Sequence, residues 1–185
     1  MRNLTMLLAL SAVMMLASCG KKQTTDDIIL PPDPQPVKQM ETQRMEDTDY
    51  EDVIEWNDAR YTVQIQRRVD TSLNKATDET GIEYYDNSIT VKVLRQDGST
   101  FFNRTFHKSD FNQYLDENTR KTGALLGLMP SKTEAGSLVF EGSVGSPDAM
   151  SENFIPLVIS INRQGQISVS RATTIDTTSQ EEDMP

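Results

Sequence analysis

One cysteine, one histidine and one tryptophan stand in 185 residues, and aromatic side chains make up 6% of the chain. A single cysteine rules out an intramolecular disulfide, so the core alone must hold the fold. One histidine and one cysteine are too few for the usual zinc sites, and no metal or other cofactor is expected. A Ser-His-Asp or Cys-His site would have to use His107, yet the chain has no Gly-x-Ser-x-Gly elbow and no Gly-rich phosphate loop. The one long apolar run, Leu4 to Ala17, is too short for a membrane span, which takes about 20 residues. Positive charge is scarce: 18 Lys and Arg face 28 Asp and Glu, for a net charge of −10. The imbalance is local. Residues 60–172 hold 13 basic and 13 acidic side chains, while 19–59 and 173–185 together hold 4 and 15. A neutral middle gives no reason to expect nucleic acid as a partner.

What is present begins at the first residue. Arg2 supplies a positive start, and Leu, Met, Ala and Val dominate the stretch from Leu4 to Leu16, the plan of an export signal. Leu16-Ala17-Ser18-Cys19 follows, and it resembles the lipobox of bacterial lipoproteins. The small Ala17 and Ser18 suit a signal peptidase cleft, and a thiol is the side chain that can take a diacylglyceryl thioether. The resemblance implies cleavage after residue 18, lipid at Cys19 and acylation of the new amino terminus by a fatty acid such as palmitate. The membrane is then a partner through the Cys19 lipid. Gly20 stands where an aspartate would hold such a protein in the inner membrane, so the outer membrane of the cell envelope is the expected place. Lys21, Lys22, Asp26 and Asp27 loosely match a surface-export signal, which leaves the periplasmic face and the cell surface both open.

Residues 19–45 read as a flexible lipidated tether, because Pro31-Pro32-Asp33-Pro34-Gln35-Pro36 favours extended polyproline geometry and the surroundings are polar. Residues 46–172 have the size of one domain, and 173–185 read as a disordered acidic tail. Alternation of period two dominates the domain. Tyr61, Val63, Ile65 and Val69 share one face of a strand, and Ile89, Val91 and Val93 repeat the pattern. Asp97-Gly98 predicts a hairpin into a strand over Thr100 to Phe106. Leu138 to Val144 is another strand. Phe154 to Ile161 is apolar on both faces, which suits a central strand, and Asn162 to Gly165 turns it into Ile167 to Arg171. Pro156 marks a bulge or a strand start. Two helices are predicted: Asp110 to about Asn118 capped by Ser109, and a short one opened by a capping box over Thr48 to Glu51. Leu125 to Met129 is an edge strand or part of a hydrophobic lid. The expected fold is α+β, mainly an antiparallel sheet with one packed helix on a disordered N-terminal tether.

Thr105 to Phe111, Leu138 to Gly145 and the Phe154–Gly165 hairpin together resemble a family of small lipoproteins of Bacteroides-type bacteria, known as a domain of unknown function. The resemblance covers roughly residues 80–172 with the lipobox and tether, and it implies place and architecture without an activity.

Fragments that suggest chemistry have plainer readings. Ser72-Leu73-Asn74-Lys75 and Lys121-Thr122-Gly123 match motifs of penicillin-recognising serine enzymes, but Ser72 falls in a polar loop rather than at a helix start. Asp47, Asp49, Glu51 and Asp52 cluster without the glycine that turns a calcium loop. Glu141 alternates outward from its strand. Trp56, Tyr84 and Tyr85 remain candidate ligand contacts, since aromatic faces stack on sugars. Asp176-Thr177-Thr178 resembles the O-glycosylation sequon of Bacteroides-type exported proteins, which makes Thr177 a candidate acceptor. The favoured expectation is a non-catalytic envelope lipoprotein that binds or supports a protein partner. A binder of a small apolar or glycan ligand, held between the sheet and residues 121–130, is the alternative. A hydrolase with a carboxylate pair comes third.

Overall fold

A computed structural model describes residues 40–134 and 136–172. The expected signal segment 1–18, Cys19, most of the expected tether and the tail with Thr177 lie outside the described residues.

The fold opens with a hairpin, β1 (Thr48–Trp56) and β2 (Ala59–Val69). Its two-residue turn places Asn57 and Asp58 at φ 52° and 59°, the left-handed pair that matches strand twist. The helix expected at Thr48 is therefore corrected to a strand. Tyr50, Ile54 and Trp56 share the inward face, and the ladder with β2 satisfies backbone groups that a short helix would leave open.

A small hairpin of β3 (Ala76–Thr77) and β4 (Glu83–Tyr84) precedes β5 (Asn87–Arg95) and β6 (Thr100–Phe106). The Asp97-Gly98 turn is present, with Gly98 at φ 79° and the Gly98 N–H donating to the Arg95 carbonyl at 2.9 Å. The first sheet runs β1-β2-β5-β6, antiparallel throughout.

The helix predicted over Asp110 to Asn118 divides in two. A 3-10 helix spans Lys108–Tyr114, and α1 spans Glu117–Thr122. Leu115 between them is extended, at φ −100° and ψ 147°. Asp116, not Ser109, caps the α-helix by accepting from the Thr119 N–H at 2.8 Å. The apolar face was legible all the same: Phe111 and Leu115 are buried, with Tyr114 packed beside them.

A second sheet runs β10-β9-β8-β7, formed by β7 (Ala124–Glu134), β8 (Ser137–Gly145), β9 (Phe154–Ile161) and β10 (Ile167–Arg171). Leu125 to Met129 thus belongs to an edge strand. β9 is interior, as its apolar character suggests, but only one face is buried: Leu157, Ile159 and Ile161 point into the core while Phe154 is 49% exposed. Pro156 lies near the start of β9, a position that tolerates proline, and its carbonyl accepts from the Ala172 N–H at 3.1 Å just past the end of β10.

The architecture is mainly antiparallel sheet with one short α-helix. The covering layer differs from expectation. Val63, Ile89 and Val91 of the first sheet join Phe140, Leu157 and Ile159 of the second in one cluster. A six-residue helix cannot cover a four-stranded sheet, so the second sheet does.

Backbone pairing also reaches ahead of residue 46. Gln43 bridges Tyr84, donating to the Glu83 carbonyl at 2.8 Å and accepting from the Tyr85 N–H at 3.1 Å. Arg67 grips the Glu46 carbonyl, and Asp47 caps the Val69 N–H at 3.0 Å. Deleting residues 20–39 should leave the thermal midpoint unchanged. Deleting 20–47 should lower it by about 4–8 °C, for about 1–2 kcal/mol of lost hydrogen bonding. Equal midpoints for the two truncations, read by calorimetry, would show that the arm contributes nothing.

Candidate functional site

A cleft of about 310 Å3 lies where β1 meets the β7–β8 ribbon. Tyr50, Asp52 and Ile54 form one wall, and Pro130, Leu138 and Phe140 contribute to the other. Asp52 is the one acid among these inward positions. Its carboxylate accepts from the Val53 N–H at 2.8 Å and from the Tyr50 hydroxyl at 3.2 Å. Desolvation, then the Asp52 charge, holds the Tyr50 phenol above its ordinary value, so it stays a proton donor near neutral pH.

The three candidate aromatic residues are not gathered into one surface. Trp56 is 3% exposed and packs against a tilted Tyr61 ring and edge-on against Phe101, with ring centroids 5.2 and 5.3 Å away. Among the described residues its buried Nε1 has no hydrogen-bond partner. Tyr84 and Tyr85 belong to the β3–β4 region instead. Tyr84 lines a shallow hollow of about 490 Å3 with Arg67, Leu126 and Asp148, and the Lys75 ammonium sits 6.0 Å over the Tyr85 ring.

The motif fragments take structural parts. Ser72 donates to Asp70 at 2.6 Å in a turn, and Lys75 pairs with Glu83 at 2.6 Å. Lys121 pairs with Glu117 on α1. His107 precedes the 3-10 helix, and its N–H donates to Asp110 at 2.8 Å. Glu141 is exposed and accepts from Ser131 at 2.7 Å. On β1 the acids divide by alternation: Asp49 and Glu51 face outward, held by Arg68, Gln66 and Gln64, while Asp52 faces the cleft. Among the described residues no group of three His, Cys, Asp or Glu side chains is placed to hold a metal ion.

Two polar clusters were not foreseen from the sequence. Asp86 and Asn87, both buried, grip one residue of the opposite sheet: Asp86 accepts the Leu125 N–H at 2.8 Å, and the Asn87 amide donates to the Leu125 carbonyl at 2.8 Å. Lys108 stands 3.7 Å from Asp86 and donates to the Gly123 carbonyl at 2.5 Å. Arg67 donates to the Leu126 carbonyl. Side chains of the first sheet and the 3-10 helix thus substitute for ladder bonds as the chain enters β7. Elsewhere Glu79 accepts from Ser146 at 2.7 Å and Ser151 at 2.8 Å, tying the β3–β4 turn to the β8–β9 loop. Neither cluster has a local sequence signal, because the partners lie far apart in the chain.

Hydrogen bonds to carboxylates contribute to the acid limb of stability. The Ser146 and Ser151 hydroxyls hold the Glu79 carboxyl below its ordinary value, and the Thr119 N–H does the same for Asp116. Each folded carboxyl gives up its proton more readily than the unfolded chain does. The contribution is full above the ordinary carboxylate range and fades as pH falls through the lowered folded values. Glu79→Gln should therefore flatten part of the loss of thermal midpoint below about pH 4. An acid limb identical to wild type would remove Glu79 from it.

Among the described residues no helix is long and apolar enough to cross a membrane. Residues 32–169 match a family model described as a domain of unknown function (DUF4738). No curated protein matches the chain.

Proposed function

The chain belongs to the DUF4738 family of domains of unknown function, and from that premise we propose that it is a non-catalytic, lipid-anchored protein of the bacterial cell envelope that holds a protein partner. The observation that carries this reading is the filled core. Leu125, Leu128 and Phe140, the side chains that would line an apolar ligand chamber, are 1%, 2% and 1% exposed. Binding is left to surfaces and edges, which suit a macromolecule better than a small enclosed ligand. The lipobox ending at Cys19, with Gly20 in place of an aspartate, supports anchoring at the outer membrane and kinship with the lipoproteins of Bacteroides-type bacteria.

The small-ligand reading keeps one observation in its favour: the cleft of about 310 Å3, whose accessible apolar lining is the half-buried Tyr50, Ile54 and Pro130. Native mass spectrometry of the chain, extracted in mild detergent from its own host, separates the two. A partner-protein mass beyond chain and lipid is expected. A small-molecule increment alone would overturn the partner reading in favour of a ligand binder.

A further inference from the structure

Among the described residues β1 hydrogen-bonds to β2 alone, so one edge of the first sheet is unfinished. The two-residue turn makes Trp56 and Ala59 a hydrogen-bonded pair, which fixes the parity of the strand. Tyr50, Asp52 and Ile54 turn their backbone groups toward β2. Asp49, Glu51, Val53 and Glu55 turn theirs to the open edge. The Val53 N–H agrees, since the Asp52 carboxylate takes it at 2.8 Å. Side chains alternate too: Asp49, Glu51, Val53 and Glu55 face solvent, with Val53 59% exposed, while Tyr50, Asp52 and Ile54 face the cleft.

Charge decides what can pair there. Residues 46–58 hold seven acidic side chains and no basic one, although residues 60–172 balance at 13 and 13. A second copy pairing β1 against β1 would set Asp49, Glu51 and Glu55 against their own kind, which repels. Resting on the partner-binding reading, we infer that an extended partner segment alternating basic and apolar residues adds to β1 as a new strand. Its apolar residues enter the cleft over Tyr50, Ile54 and Pro130, and its Lys or Arg residues lie beside Glu51 and Glu55 on the outer face. Asp52 closes the edge in the free protein by occupying the Val53 N–H, and a carbonyl of the incoming strand takes that N–H over.

The test uses the full mature chain and two synthetic peptides, one alternating Lys and Val, the other Glu and Val. Val53→Pro removes an N–H that faces outward, so it breaks the docking edge without breaking the ladder to β2. The Lys–Val peptide should bind wild type and protect the Glu51, Val53 and Glu55 amides from hydrogen exchange. Binding should weaken by about ten-fold or more for Val53→Pro and for the Glu–Val peptide. Should Val53→Pro fail to fold, Glu51→Lys combined with Glu55→Lys reverses exposed charge only, and it should exchange the preference toward the Glu–Val peptide. Equal binding to a folded Val53→Pro, or protection elsewhere than β1, would overturn the inference. So would a dimer that Val53→Pro converts to monomer, since the occupant would then be a second copy. A partner recovered from the envelope equally well with Val53→Pro overturns the edge and leaves the partner reading standing. No partner with wild type, despite peptide binding, overturns the partner reading itself.

Discussion

Cys19→Ala should abolish incorporation of labelled fatty acid and leave the precursor uncleaved, as the proposed lipid anchor requires. The effect is all or none, because no other thiol exists to carry the lipid. Each buried methylene contributes about 0.8 kcal/mol to membrane binding, and two or more chains give stable anchoring where one gives only marginal attachment. On the proposed lipoprotein reading, loss of the thioether should move the protein from lipid-held to held, at most, by an uncleaved signal segment too short to span. Metabolic labelling and fractionation read both outcomes. A Cys19→Ala chain that still takes up fatty acid would remove the lipoprotein reading.

Asp86→Ala lowers the free energy of unfolding by about 3–5 kcal/mol, the usual cost of removing one partner from a buried charged pair. The Leu125 and Asn87 N–H groups lose their acceptor, and Lys108 loses the carboxylate 3.7 Å away. For a domain of this size that is a drop of about 10 °C or more in thermal midpoint. The pH dependence carries the signature of the group. Burial pushes the Asp86 carboxyl above its ordinary value, against the pull of the two N–H groups and Lys108. As pH rises the unfolded chain releases this proton first. The pH-dependent part of Asp86's contribution is therefore full below the ordinary carboxylate value and is lost as pH rises through the folded one, while the hydrogen bonds to the Leu125 and Asn87 N–H groups remain. Asp86→Asn keeps an acceptor and removes that slope, so the difference between wild type and Asn variant isolates it. A thermal midpoint within about 2 °C of wild type for Asp86→Ala would mean the staple does not hold the two sheets together.

How much was legible follows from what each element needs. β2, β5 and β9 could be read because Val63 and Ile65, Val91 and Val93, and Leu157 and Ile159 recur at period two and do face the core. The Asp97-Gly98 turn carries its own chemistry in two residues. β1 was hidden because Asp52 occupies an inward position, and Thr48 to Glu51 imitates a helix start. The split helix turns on Leu115 adopting an extended backbone, after which Asp116 rather than Ser109 becomes the cap. That the strands divide into two sheets depends on long-range pairing, which no local pattern records. The cleft was illegible for the same reason: Tyr50 and Ile54 meet Leu138 and Phe140 only after both sheets have formed. The lipobox reading at Cys19 rests on a contiguous signal and lies outside the described residues.

Crosslinking in the intact envelope of the host, followed by denaturing purification of the tagged chain, tests the central claim most directly. The account predicts a discrete adduct of this chain with one other protein, formed with wild type and lost with Cys19→Ala. A chain recovered only as lipidated monomer at every crosslinker dose would contradict it.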